Sequence, residues 1–215
     1  MFVGHIAIAL AAKRAAPRTN LGLLALGAQW SDTLWPILVL AGVEHVNIEP
    51  GATVMTPLDF VSYPWSHSLL MLVLWGALFW ALYRKRGGNR AAVVLGLTVV
   101  SHWVLDVITH RPDMPLFPHG GPKLGLGLWN YPAAELTLEI GMYLAGAWLY
   151  LSATRARDTV GRFAVPALLV TLGALWLAST FGPPPPSVKV LAWSAMGGLL
   201  FLAWAWWGDA HREPA

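Results

Sequence analysis

The residues of this chain best suited to chemistry are His102, Asp106 and His110, which fall at i, i+4 and i+8 in Ser101-His102-Trp-Val-Leu-Asp106-Val-Ile-Thr-His110. On a helix this spacing sets three side chains along one face. Imidazole and carboxylate are the nitrogen and oxygen ligands that hold zinc-like ions. The surrounding stretch is apolar. An ionisable group at membrane depth costs about 3 kcal/mol or more unless it is paired, hydrated or metal-bound, so such groups mark function.

Further groups of the same kind are spread through the first two thirds of the chain: His5 after Gly4, Asp32, His67 in Tyr63-Pro-Trp-Ser-His67-Ser68, and the pair Glu135-x3-Glu139. Pro36 lacks an N–H, so the carbonyl of Asp32 loses its helical partner and a kink is expected beside it. Irregular backbone at depth is tolerated where it lines a polar cavity. Pro64 sets the approach to the next helix, and Ser66 is a candidate cap that would put His67 in the first turn. Glu135 and Glu139 point the same way and repel unless protonated or bridged by a cation. Glu135 also suits a helix start, where the dipole favours an acid. His45 and His119 read as solvated loop histidines, and His211 as part of the tail. Gly125-x-Gly127 is a weak phosphate-loop signal, better read as a loop covering the site.

The elements that must position these groups read as membrane helices. The chain has 215 residues, of which 56% are hydrophobic and 12% charged. Soluble domains average about 25% charged residues, so a single membrane domain is expected over 1–215. Thirteen tryptophans suit interfacial belts. The absence of cysteine excludes disulfides and thiolate metal sites. No positive n-region precedes the first apolar stretch, so no removable signal peptide is read.

Six segments have about the 20 apolar residues a span needs: Leu21–Val43, His67–Tyr83, Ala91–Thr109, Ala133–Leu151, Phe163–Phe181 and Val188–Trp207. Phe2–Ala12 is too short to cross and reads as a half-inserted or surface helix. The expected fold is therefore an all-α polytopic bundle of about six transmembrane helices plus a short N-terminal helix. Residues 1–142 would carry the metal site, and 143–215 would add further membrane helices. Arg84–Arg90 and Arg155–Arg162 form polar turns, and Gly182–Ser187, with four prolines, forms a stiff connector. If the spans alternate, eleven of the 14 Lys and Arg residues lie on one side, leaving Arg111, Lys123 and Lys189 on the other. The positive-inside rule makes the first side cytoplasmic and turns loops 44–66 and 110–132 outward. This topology accounts for the basic pI near 9.4 without a nucleic-acid partner.

Depth ties the groups together. At 1.5 Å per residue from the basic flanks, His102, Asp106, His67, Asp32 and Glu139 lie about 18–26 Å in, and His110 and Glu135 about 30 Å in. His5 joins them only if the N-terminal segment dips inward.

The ordered set Gly4-His5, Asp32, His67-Ser68, His102-x3-Asp106 and Glu135-x3-Glu139 resembles a bacterial family of membrane-bound metal-dependent hydrolases, some described as inner-membrane proteins that bind the SOS repressor. That family is itself similar to zinc-dependent phospholipases C and single-strand-specific zinc nucleases. Those are soluble helical enzymes with a three-zinc site whose ligands run in the same order. Their closing His-x3-Glu stands here as Glu135-x3-Glu139, and the resemblance covers roughly residues 1–142. It implies one to three zinc ions, or another divalent metal, with ligands among His5, Asp32, His67, His102, Asp106, His110 and Glu139. Asp32 or Glu135 would serve as general base where not a ligand.

The reading is a membrane-embedded metal-dependent hydrolase of the bacterial inner membrane with an outward-facing site. It would act as a phosphoesterase on a lipid or lipid-linked substrate. Two rivals stand beside it: a proton or divalent-metal transporter, for which an inverted repeat and a polar path to the cytoplasm are missing, and a non-catalytic membrane protein with a structural metal.

Overall fold

The computed structural model describes residues 1–215. The chain is mostly helical, and its course is set by where turns can form. Helix α1 (Val3–Ala15) is followed by α2 (Leu21–Ala28), capped by the Asn20 side chain accepting the Gly22 N–H at 2.8 Å. Helix α3 (Trp30–Leu40) continues from α2 with a 57° bend. The expected kink beside Asp32 thus falls earlier, at Gln29, and Pro36 stays within α3.

Two ribbons and a short helix follow on one end of the molecule. Strands β1 (His45–Ile48) and β2 (Leu58–Ser62) pair antiparallel, and the single turn α4 (Pro64–His67) leads into α5 (Leu69–Thr109). The cap of α5 is Ser68, not Ser66: its Oγ accepts the Met71 N–H at 3.4 Å. Strands β3 (Met114–Pro115) and β4 (Lys123–Leu124) and a 3-10 turn at Leu128–Asn130 close the second loop. Both connections expected as irregular loops therefore contain paired strands.

Helix α5 folds back on itself. Gly88 has φ 78° and ψ 164°, a conformation that a side chain would strain. The two arms then lie so close that a Cβ on Gly76 would sit 2.7 Å from the Gly96 carbonyl oxygen. Beyond the loops come α6 (Pro132–Ala153), α7 (Thr159–Phe181), α8 (Val188–Met196) and α9 (Gly198–Ala210). Strands β5 (Thr154–Ala156) and β6 (Arg212–Pro214) pin the C-terminus beside the start of α7.

By length and apolarity, three helical segments can cross a membrane: Leu69–Thr109, Thr159–Phe181 and Val188–Ala210. The bent α2–α3 pair makes up to four if it counts as one broken span. A bundle of about six spans is not borne out. The spans expected over 67–83 and 91–109 are the two arms of α5, joined at Gly88 and counted above as one segment; another expected span is broken at Gln29, and α6, with its two glutamates, does not reach the required apolarity. Outward residues such as Val170 and Leu200, each 74% exposed, suit a lipid surroundings.

The N-terminal segment is not a surface helix. Val3, His5, Ile6 and Leu10 are buried, and α1 runs along α6 while touching α2 and α5. One core joins Ile6 and Leu10 to Tyr150, Leu168 and Leu172; another joins Leu24 and Ala28 to Leu95.

Candidate metal centre

Helix α1 carries His5 into the middle of the fold, where it meets the His102-x3-Asp106 face of α5. His5 Nε2 lies 3.0 Å from Asp106 Oδ1, and His102 Nε2 lies 3.0 Å from Asp106 Oδ2. The two imidazoles stack with centroids 3.7 Å apart. Asp32, on the first turn of α3, reaches the same place: its Oδ1 is 3.6 Å from His67 Nε2 and 3.7 Å from His102 Nε2. His67 Nε2 is also 3.8 Å from Asp106 Oδ2. Two overlapping groups result, His5–His102–Asp106 and Asp32–His67–His102, each with its ligand atoms within 4.8 Å of one another. Five of the residues expected from the sequence thus converge from four helices.

Proton counting shows what these contacts are. His102 Nδ1 is 2.8 Å from the Ala28 carbonyl at the α2–α3 bend. A carbonyl only accepts, so Nδ1 carries the proton and Nε2 of the neutral ring holds a lone pair. That lone pair faces two carboxylates and has no hydrogen-bond partner. His67 repeats the arrangement. Ser66 Oγ is 2.6 Å from Glu44 Oε2 and 2.6 Å from His67 Nδ1. The hydroxyl has one proton to give, and the carboxylate requires it, so His67 Nδ1–H donates to Ser66 and Nε2 is left bare. Glu44 is held in turn by the N–H groups of Trp65 and Ser66 at 2.8 and 2.9 Å. Hydrogen bonds on the far nitrogen are how proteins orient metal-binding imidazoles. Lone pairs aimed at carboxylates repel unless a cation or a proton sits between them.

Sequence reasoning missed Glu44 and Ser66 in these roles. Glu44 lies just past an apolar segment and reads as a solvated loop acid, yet it is 1% exposed. Only the fold of β1–β2 over α4 brings it inward.

The remaining expected residues take other positions. Glu139 Oε1 accepts the N–H groups of Phe2 and Gly4 at 2.5 and 3.0 Å, so it holds the start of α1 and thereby His5. Glu135, fully buried one turn earlier, has no partner for either oxygen. His110 stands apart from the two tight groups: its Nδ1 is 2.9 Å from Asp113 Oδ1, and its ring packs on Trp129 with centroids 4.3 Å apart. Tyr63 OH also donates to Asp113 Oδ1, at 2.7 Å. Burial alone would raise the Asp113 pKa, but the bonds from His110 and Tyr63 and the Arg111 charge hold it below its ordinary value. Burial, with Asp113 beside it, pushes the Tyr63 hydroxyl well up. The α-amino group of Met1 is buried as well, 3.1 Å from Asp106 Oδ1.

Asp32, His67, Asp106, His110, Glu135 and Glu139 all line one cavity of about 640 Å³, with Asp32 41% exposed into it. No Lys or Arg side chain lines this cavity. An anionic ligand would meet four carboxylates there without a compensating cationic side chain.

The family model described as YdjM inner membrane protein matches residues 1–181, and the chain belongs to that family. No curated protein and no solved structure matches the chain.

Proposed function

We propose that this integral inner-membrane protein of the YdjM family is a metal-dependent phosphoesterase acting on a lipid or lipid-linked substrate. The observation that carries the reading is the pair of bare nitrogens, His67 Nε2 and His102 Nε2, locked by Ser66 and Ala28 and facing Asp32 and Asp106. With both rings neutral and no cation these atoms repel; a bound ion makes them a nitrogen and oxygen donor set suited to zinc. His5, His102 and Asp106 would hold one ion and Asp32 and His67 a second, with Asp106 and His102 near both. Bound there, a divalent ion supplies polarisation of a phosphoryl oxygen and eases loss of a proton from water.

The chain's own groups do the rest. Glu135, with both oxygens free at the cavity, accepts the proton of the attacking water. Glu139 keeps α1 seated so that His5 faces Asp106, and the Glu44–Ser66 relay fixes the His67 ring. The fold supports a one-sided site. The loops over the cluster form one end, and the Lys13–Asp209 pair seals α1 to α9 elsewhere in the bundle. The basic turn Arg84–Arg90 lies at the tip of the α5 hairpin, away from the end that carries His67 and Asp106, and the positive-inside rule would place that tip in the cytoplasm and the cluster outward.

The test begins with elemental analysis of protein purified without chelator. Near-stoichiometric zinc or a similar divalent ion is expected in wild type and its loss in Asp106→Asn and His102→Gln, together with loss of hydrolysis of phospholipids and lipid-linked phosphates in detergent. Protein that neither retains nor takes up metal refutes the reading. Metal-loaded protein that cleaves none of these phosphoesters, but conducts divalent ions in a His102-dependent way in liposomes, replaces it with transport.

A further inference from the structure

The cavity does not end at the His and Asp cluster. It continues away from Asp32 and Glu135 between α7 and the α8–α9 pair, where its walls are apolar: Leu168, Leu172 and Trp176 on one side, Leu199, Leu202 and Ala205 on the other. The acid and imidazole groups are thus confined to one end, and the wing adds only the hydroxyls of Ser179, Thr180 and Ser194 to its apolar walls.

Two features keep this wing open. Helices α7 and α8 are consecutive but do not pack along one another; α8 leans on α3, while α9 packs on α2 and α7. Their connection contains four consecutive prolines, Pro183–Pro186. Such a run is extended at about 3.1 Å per residue, or about 12 Å in all. Packed helices sit about 8–10 Å apart, so the strap spaces α7 from α8 rather than drawing them together. Pro183 and Pro185 themselves line the cavity. The opposite wall is also interrupted, because α8 stops at Met196 and α9 starts at Gly198, and both residues face the same space.

We infer that this wing is a binding site for the long aliphatic chain of a membrane amphiphile, which enters sideways between α7 and α8. The occupant follows from the setting. The walls belong to segments apolar enough to cross a membrane, so the gap between them opens onto lipid tails rather than water. The far end reaches the acid and imidazole cluster, which no purely apolar guest would use. A chain lying along Leu172 and Trp176 places its head group beside Asp32 and Asp106. Transfer from bilayer to slot exchanges one hydrocarbon setting for another, so the slot supplies position rather than affinity. This deepens the hydrolase reading by assigning the last two helices to the substrate's tail, and it rests on that reading for the head group alone.

Photolabelling tests the site. The full-length protein is placed in phosphatidylethanolamine–phosphatidylglycerol vesicles doped with a phosphatidylglycerol bearing a diazirine in its acyl chain, and adducts are mapped by residue. Labelling is expected at Leu172, Trp176 and Leu202, which face the slot, as well as at Val170 and Leu200, which face the bilayer. Ala195→Trp, which fills the slot, should reduce the first set at least 5-fold and leave the second unchanged. Thr180→Trp, at the mouth, should do the same if the first variant does not fold. Excess unlabelled dioleoyl phosphatidylglycerol or a polyisoprenyl phosphate should compete for the slot set, and the stronger competitor identifies the chain type. Labelling of Val170 and Leu200 alone, or slot labelling that neither tryptophan nor either competitor reduces, overturns the proposal. His102→Gln separates the two readings: it removes metal in the hydrolase scheme, whereas slot labelling by the same acyl diazirine on a phosphatidylcholine, whose head group has no net charge, should stay intact.

Discussion

Two of the polar clusters buried in this molecule are built on opposite rules. In the first, Lys13 Nζ lies 2.5 Å from Asp209 Oδ2 and 2.9 Å from the Thr19 carbonyl, while Asp209 also accepts the Leu21 N–H at 2.9 Å and the Tyr150 hydroxyl at 2.7 Å. Charges cancel, and both carboxylate oxygens are used. In the second, His67 and His102 present bare nitrogens to carboxylates, and Glu135 has no partner at all. A satisfied buried network ties elements together. An unsatisfied one stores repulsion that a bound cation relieves, which is the ordinary cost of a functional site. Both clusters hold buried aspartate, but the first pairs it with a lysine while the second sets it against imidazoles, and that difference in charge balance separates an anchor from a candidate ion site.

The largest expected effect is on the unsatisfied side. Glu135→Gln should keep metal content while lowering phosphoester hydrolysis by about 10²–10⁴-fold, the usual contribution of a positioned acid–base group. Parallel metal analysis and rate measurement check it, and loss of metal with the rate would make Glu135 a ligand instead. The satisfied side comes next. Asp209→Asn leaves Lys13 buried with no counter-charge and should cost about 3–5 kcal/mol of stability, read by unfolding in detergent. Metal-free Asp32→Asn should change stability by no more than about 1 kcal/mol, or raise it, because it removes repulsion at His67 and His102 and leaves the Met1 ammonium paired with Asp106. Equal destabilisation by the two substitutions would erase the distinction drawn above. Smaller again, Glu44→Gln and Ser66→Ala should weaken metal affinity by about 10–100-fold through loss of ring orientation at His67. Unchanged affinity in metal titrations would show that the relay is structural only.

The smallest effect concerns an exposed pair outside both clusters. Asp158 is held below its ordinary value of 3.8 by the Gly161 N–H at the start of α7 and by His211. Its folded pKa is depressed, so its contribution is present above about pH 3.8 and is lost as pH falls through the lower folded value. Amide exchange in β5 and β6 should therefore stay slow at pH 5 and speed up slightly below pH 3.8. Exchange that is flat across this range would remove the pair from the account.

Much of the site was legible because membrane depth makes ionisable residues costly. His5, Asp32, His67, His102 and Asp106 stood out as polar side chains inside apolar stretches, and they do converge. His110 and Glu139 stood out equally but are engaged by Asp113 and by the start of α1. Spacing along a helix cannot tell a ligand from a residue that holds a neighbouring element. The helical segments were legible from apolar runs, while the number of spans was not. The polar turn Arg84–Arg90 did announce the reversal at Gly88, but the runs carry no sign of the break at Gln29, which depends on packing against a neighbour.

By itself, then, the sequence determined that this is a helical membrane protein with acid and imidazole groups set within its apolar stretches, because composition and spacing are local properties. The tertiary structure alone decided which of those groups face one another, that Glu44 and Ser66 set the proton on His67, that Lys13 and Asp209 neutralise each other, and that the last helices flank an apolar extension of the cavity. Proton positions and cavity walls arise from contacts between residues far apart in the chain, and no periodicity records them.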